Sequence, residues 1–178
     1  DAPSGFTKSF KLDCTTADTS LSAGDHYGFQ YIPEGFHMDS VGKGTSGAKS
    51  MTLSFYIKAT VTKTMVVEFT DASNSRHVNF SVTPSTTNTW ERVSLSIPAD
   101  TSGSFNQGTN SSAGEINFWL GAGTTYTSGS VQSAWTSRVS ANIMAGVSNW
   151  ADSTSNAIWI TGLQLEIGDV ATAFEHEM

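Results

Sequence analysis

Strict alternation of apolar and polar residues over positions 51–62 constrains the fold more than any other feature of the sequence. Successive side chains of a β-strand point to opposite faces, so a period of two predicts a strand with one face in a core. Further alternating stretches recur along the chain, at positions 78–82, 90–97, 115–120 and 157–167. A chain with so many one-sided strands buries them best by packing one β-sheet against another.

Turn signals separate these stretches and suggest how they connect. Positions 64–70 form another strand pattern after a short gap, which predicts a hairpin with the strand at 51–62. Positions 71–75 (DASNS) are typical of a turn. Gly162 shifts the phase of the alternation in the last strand, which predicts a β-bulge.

Weaker patterns complete the prediction at the two remaining parts of the chain. Phe6, Phe10 and Leu12 indicate a first strand, and positions 27–32 indicate a second. Between positions 130 and 155 the apolar residues are unevenly spaced. This irregular spacing predicts a long excursion that contains one short strand or helical turn.

The patterns together predict an all-β fold of about eight to ten strands, without an amphipathic helix. Charged residues make up only 14% of the chain, below the usual quarter, and Ser, Thr, Asn and Gly replace them. We therefore expect a single domain over residues 1–178, a two-sheet antiparallel β-sandwich. A jelly-roll-like topology is favoured because the first and last strands both have strongly apolar faces.

The charge and hydropathy of the chain argue against two classes of partner. The net charge is −7, and the nine Lys and Arg residues are scattered without forming a basic stripe. Since nucleic-acid binding depends on clustered basic residues, we expect no nucleic-acid partner. The apolar runs are far shorter than the roughly 20 residues that a membrane-spanning helix needs, so we expect no membrane insertion.

The sequence offers little support for catalysis. The four histidines are His26, His37, His77 and His176. Neither a GxSxG nucleophile elbow nor an HExxH metal motif is present. Glu115 and Glu166 are candidates for a glycosidase-like carboxylate pair that faces across strands, but outward polar positions explain them more simply. We therefore expect that the protein is not an enzyme.

Acidic residues near the two ends of the chain raise the question of a structural metal. Asp13, Asp25 and Asp169 are candidate Ca²⁺ ligands, because Ca²⁺ prefers carboxylate and carbonyl oxygens. They lack the spacing of an EF-hand loop. The sequence thus indicates no cofactor, with structural Ca²⁺ as the alternative that stays open.

Aromatic residues outside the core pattern provide the candidate binding residues. Sugars present apolar C–H faces that stack on aromatic rings, and rings in polar loops are suited to this role. The candidate glycan-binding residues are Trp135, Trp150, Tyr126 and Tyr27. Trp119 and Trp159 lie on strands but alternate with the inward residues, so they are candidate interface residues that another subunit, a loop or a ligand covers.

Several motifs resemble a signature of many bacteriophage virion proteins. The segments DSTSN (152–156), WITGLQLEIG (159–168) and ATAFEH (171–176) are similar to DSTSN, YITGVQLEVG and ATPFEH in that family. Segments LD (12–13), TTADT (15–19), AKSMTLSF (48–55), NTWE (88–91) and IPADTSG (97–103) fit the same pattern. The similarity covers about residues 6–176, and Ala173 departs from it where proline is usual.

The resemblance implies a tail-fibre-like or head-decorating protein on the virion surface, with a carbohydrate-binding-module-like jelly roll. It also implies symmetric assembly such as a homotrimer. Two functions follow from it and stay open at this point. One is adhesion to host-surface carbohydrate, and the other is a structural role as a capsid-decoration or fibre-knob protein that binds other virion proteins. A glycan-degrading enzyme, or an accessory module of one, is a third and weaker alternative.

Overall fold

Two antiparallel β-sheets packed face to face make up the regular structure of this chain. The computed structural model describes residues 1–106 and 108–175, so His176 of the last motif lies outside the described residues. The strands are β1 (Phe10–Asp13), β2 (His26–Tyr31), β3 (Met51–Ala59), β4 (Met65–Asp71), β5 (Arg76–Val82), β6 (Glu91–Ile97), β7 (Glu115–Ala122), β8 (Thr136–Ser137) and β9 (Ala157–Ile167). Two one-turn helices, α1 (Gly35–Met38) and α2 (Thr124–Thr127), lie between strands.

The strand order confirms the predicted all-β sandwich. One sheet has the order β1-β9-β3-β6, and the other has the order β2-β7-β4-β5-β8. Apart from the two-residue β8, this is the order of a jelly roll, in which the first and last strands are neighbours. The alternating apolar residues of both sheets meet in one core, where Phe118 stacks on Phe29 and meets the edge of Phe55.

The predicted hairpin between β3 and β4 is wrong. β3 pairs with β6 and β9, whereas β4 pairs with β5 and β7 in the other sheet. The short gap after β3 therefore carries the chain from one sheet to the other across the end of the sandwich. A short connection predicts proximity of two strands, but it does not decide whether they pair or face each other.

The predicted turn and bulge are both confirmed. The side chain of Asp71 accepts a hydrogen bond from Asn74 N, and Ser75 has a positive φ of 50° that reverses the chain into β5. Gly162 has a φ of +62°, and the β3–β9 register shifts between Ser54 and Tyr56. The bulge lets one long strand present apolar residues to the core on both sides of the shift.

The long segment after β7, residues 123–150, packs over the outer face of the five-stranded sheet, and we call it the excursion. Residues 130–155, for which one short strand or helical turn was predicted, contain both the strand β8 and a 3-10 turn at Ser140–Asn142. Asn79 of β5 holds the excursion in place, because its Nδ2 donates to Asn142 O (2.8 Å) and Ile143 O (3.0 Å). Its Oδ1 accepts from Gln132 N at 2.6 Å. This cover buries polar side chains that strand alternation alone would leave in solvent.

Candidate functional site

The side chain of Glu68 lies at the centre of the covered outer face and is fully buried. Its Oε1 accepts hydrogen bonds from His77 Nδ1 (2.9 Å) and Arg138 Nε (2.8 Å). Its Oε2 accepts from Trp119 Nε1 (3.1 Å) and Arg138 Nη2 (3.1 Å). We call Glu68, His77, Trp119 and Arg138 the Glu68 cluster. The cluster has one member from each of the strands β4, β5 and β7, and Arg138 follows β8. It therefore joins the five-stranded sheet to the segment that covers the outer face of this sheet.

The electrostatics of the Glu68 cluster keep the carboxylate charged. Burial by itself raises the pKa of Glu68, but the hydrogen bonds from His77 and Arg138 outweigh burial and hold the pKa below its ordinary value of 4.5. An ionised carboxylate only accepts hydrogen bonds, so His77 carries a proton on Nδ1. Both the Glu68 and His77 side chains are at 0% exposure. We therefore assign this acid–base pair to positioning Trp119 and Arg138, rather than to contact with a ligand.

The accessible part of this region is an aromatic face formed by Trp119, His26 and Tyr126. The rings of His26 and Trp119 meet edge to face at 5.7 Å, and those of His26 and Tyr126 at 4.9 Å. The indole is half-buried, and its orientation is fixed because Nε1 is held by Glu68. The register partner of Trp119 on β2 is Gly28, which has no side chain, so β2 contributes the ring of His26 beside the indole.

Polar side chains border this aromatic face. Arg138 has 32% of its side chain exposed, and Glu115 is half-buried. Asn117 lies between the two carboxylates, with its Nδ2 3.4 Å from Glu115 Oε2 and 3.5 Å from Glu68 Oε2. Fixed rings beside charged donors and acceptors suit a ligand that has an apolar face and hydroxyl groups at its edges.

The two tryptophans predicted to bind glycan have structural roles. Trp150 is only 4% exposed, and its Nε1 donates to Thr64 O at 3.0 Å, so neither face of its indole is open to stack on a sugar. Trp135 is half-buried against Phe69, and its Nε1 donates to Pro98 O at 2.8 Å. Both differ from the expected open loop positions because the excursion packs against the sheets instead of projecting from them.

The two tyrosines predicted to bind glycan lie in different environments. The hydroxyl of Tyr27 donates to Asn149 Oδ1 (2.6 Å) and accepts from Ala151 N (2.7 Å). Burial raises the pKa of Tyr27, despite the backbone hydrogen bonds that lower it. Tyr27 therefore serves to anchor the segment around Ala151. Tyr126 belongs to the aromatic face, so the four candidates do not form one site.

The two candidate interface tryptophans lie on the outer faces of different sheets. Trp119 is on the five-stranded sheet and belongs to the Glu68 cluster. Trp159 is half-buried on the outer face of the four-stranded sheet, where Lys58 Nζ lies 4.4 Å and Lys11 Nζ 5.1 Å from its ring centroid. Cation–π contacts within the chain thus account for part of the covering that an outward indole needs.

The three candidate Ca²⁺ ligands, Asp13, Asp25 and Asp169, lie apart from one another. In the described part of the chain, no three or more His, Cys, Asp or Glu side chains come together in a way that could hold a metal ion. Asp13 pairs with Lys11 at 3.1 Å, and Asp25 Oδ2 accepts from Ser22 N within its own turn. Asp169 is exposed.

The candidate glycosidase-like carboxylate pair, Glu115 and Glu166, does not form either. Glu115 belongs to β7 of the five-stranded sheet, and Glu166 belongs to β9 of the four-stranded sheet. Two strands in different sheets cannot be adjacent in one ladder, so the two residues do not face each other across neighbouring strands. Glu166 instead binds Thr172, whose backbone N donates to its Oε2 at 3.2 Å.

A second buried charge cluster, around Lys43, was not predicted. Lys43 is 1% exposed, and its Nζ lies 2.5 Å from Asp71 Oδ2 and 3.2 Å from Asp100 Oδ2. It also donates to the carbonyls of Ser102 (3.0 Å) and Gly103 (2.6 Å). This network fastens the polar loop after β6 to the turn between β4 and β5. We assign it to stability.

Comparison with known proteins adds no family assignment. The chain matched no protein-family model, and searches of curated proteins and of solved structures found no match either. In residues 1–106 and 108–175, no helix is long and apolar enough to cross a membrane.

The Glu68 and Lys43 clusters have no clear signature in the amino-acid sequence. Glu68 occupies an outward position of an alternating strand, which predicts exposure, and Lys43 lies in a Gly-rich segment without any pattern. One feature of the sequence does indicate that the outer face around Glu68 is covered. The outward positions of β4 and β5 also carry Val66, Thr70 and His77, a less polar set than a solvent-facing strand usually presents.

Proposed function

We propose that this domain is a non-catalytic binding module on the surface of a bacteriophage particle, and that it binds host-surface carbohydrate through the aromatic face of Trp119, His26 and Tyr126. The observation that carries the proposal is the Trp119 indole, which is only half-buried yet is held in one orientation by Glu68. Holding a ring in a binding orientation before the ligand arrives reduces the entropy lost on binding.

Two further features support carbohydrate as the ligand. The polar border supplies a guanidinium at Arg138 and a carboxylate at Glu115, which can bond to hydroxyl groups at the edge of a stacked sugar ring. The sequence motifs resemble those of virion proteins with carbohydrate-binding-module-like domains. The resemblance and the ring geometry are independent grounds for the same proposal.

The proposal is tested by measuring binding to an array of bacterial surface polysaccharides, followed by calorimetry on any polysaccharide that binds. Trp119→Ala and Tyr126→Ala should each weaken binding at least tenfold, because truncating an aromatic anchor typically costs about 2 kcal/mol. Trp159→Ala is the matched control, since it removes an outward, half-buried indole from the other sheet. Circular dichroism and the melting temperature verify that each variant is folded.

Two results would contradict carbohydrate binding at this face. One is that no polysaccharide binds, and the other is that Trp159→Ala weakens binding as much as Trp119→Ala. In either case the second candidate function, a structural role as a capsid-decoration or fibre-knob protein, takes precedence. The observation that favours this second function is the set of exposed apolar residues along one edge of the sandwich, which includes Phe10, Tyr31 and Ile167.

A further inference from the structure

One edge of the four-stranded sheet is open along half of β9. β1 pairs with β9 only from Ala157 to Ile160, although β9 continues to Ile167. Beyond Thr161, whose hydroxyl donates to Lys8 O, β9 has β3 on one side and no described strand on the other. Within residues 1–106 and 108–175, the backbone groups of residues 163–167 that point away from β3 therefore have no strand partner at this edge of the sheet.

The five-stranded sheet is open at the same side of the sandwich. β2 is its edge strand and pairs only with β7 among the described strands. The rings of Phe10 and Phe29, from β1 and β2, lie 5.3 Å apart and mark where the two edges approach each other. A single partner that docks on this side would contact both sheets at once.

An apolar groove runs between the two open edges. It consists of two adjoining cavities of about 500 and 520 Å³, both lined by Tyr31 and Leu163. Phe10 is 51% exposed, and Tyr31 and Ile167 are each 44% exposed. Exposed apolar residues gathered beside unpaired strand backbone mark an association surface rather than a solvated one.

The composition of this edge favours self-association. Edge strands of monomeric proteins are usually protected by Lys, Pro or several charges. Here the open part of β9 (LQLEI) and the whole of β2 (HYGFQY) together contain Glu166 as their only carboxylate and no Lys or Arg, in a chain of net charge −7. Two copies can therefore meet at this edge without the repulsion that opposes contact elsewhere on their acidic surfaces.

We propose that the open edge of β9 pairs with the same edge of a second copy of this chain, as a two-fold antiparallel dimer centred on Leu165. In this register Leu163 of one copy faces Ile167 of the other, and both side chains point towards the groove. Gln164 and Glu166 lie on the opposite surface, where both side chains are already held by Thr172 and Glu175 of their own chain. The pairing therefore depends on the strand backbone and on the three apolar positions 163, 165 and 167.

Light scattering coupled to gel filtration tests the assembly with the whole chain. The expected mass is twice the chain mass of 18.9 kDa, and Leu165→Lys should reduce it to that of one chain by placing like charges on the two-fold axis. A mass of one chain for the unaltered protein at millimolar concentration overturns the proposal. A mass of three chains, as the virion-protein resemblance implies, overturns it as well.

Cross-linking tests the register and does not depend on the stability of the lysine variant. In a Cys14→Ser background, Leu165→Cys should form a disulfide-linked dimer on oxidation, because residues directly opposite each other in an antiparallel pair have Cβ atoms about 5 Å apart. Val170→Cys is the matched control, since Val170 is 78% exposed and lies outside β9. Equal cross-linking of the two variants indicates random collision and overturns the proposed pairing.

Discussion

Replacing Lys43 by Met should destabilise the protein strongly while keeping the packing of the aliphatic stem. Lys43 is 1% exposed, and its ammonium group lies between the buried carboxylates of Asp71 and Asp100. Without Lys43, Asp100 keeps its two hydrogen bonds from Arg76, but Asp71 keeps only those from Asn74. Removing one member of a buried ion pair costs about 3–5 kcal/mol, because the remaining charge is left without compensation.

This loss of stability should be measurable in two ways. For a domain of this size each kcal/mol lowers the melting temperature by about 2–4 °C, so the expected decrease is roughly 6–20 °C. Urea denaturation of Lys43→Met should show the same loss in the free energy of unfolding. Lys11→Met is the matched control, because the Lys11–Asp13 pair is about half exposed and should contribute only about 0.2–1 kcal/mol.

A double-mutant cycle separates the ion pair from other effects. Adding Asp71→Asn to Lys43→Met removes the uncompensated charge and leaves Oδ1 to accept from Asn74 N. The double variant should therefore be more stable than the single Lys43→Met variant. A loss below about 1 kcal/mol for Lys43→Met would falsify the assignment of this cluster as a buried, desolvated network.

Two further predictions concern pH and the β-bulge. Burial raises the pKa values of Glu68 and Asp100, but their hydrogen bonds to basic side chains outweigh burial and hold both pKa values below the ordinary ones. The two carboxylates therefore stabilise the fold above about pH 4.5, and this stabilisation is lost as the pH falls through the lowered pKa values. Urea denaturation from pH 7 to pH 3 should show this loss, and Glu68→Gln should make the decline shallower; an unchanged slope contradicts the role of Glu68. Gly162→Ala should cost more stability than Gly146→Ala, because both have positive φ but only the Cβ at Gly162 would meet the Phe6 ring, at 2.7 Å. Equal losses in thermal melts would show that the ring moves freely out of the way.

The sequence by itself determined the strands, because side-chain alternation is a local property. The period of two over residues 51–62 identified β3, and the phase shift at Gly162 identified the bulge in β9. The turn at residues 71–75 was equally local, because Asp71 caps the turn that follows it. The two-sheet sandwich followed from these elements, since one-sided strands have few other ways to bury their apolar faces.

Tertiary structure alone decided which strands are neighbours and what covers their outer faces. The short gap between β3 and β4 is compatible with a hairpin or a crossing between sheets, and only the pairing of distant strands selects the crossing. Glu68 occupies an outward position by alternation, yet the excursion from residue 123 to residue 150 buries it. Burial depends on segments that are remote in sequence, so no local pattern could separate the buried Trp150 from the half-buried Trp119.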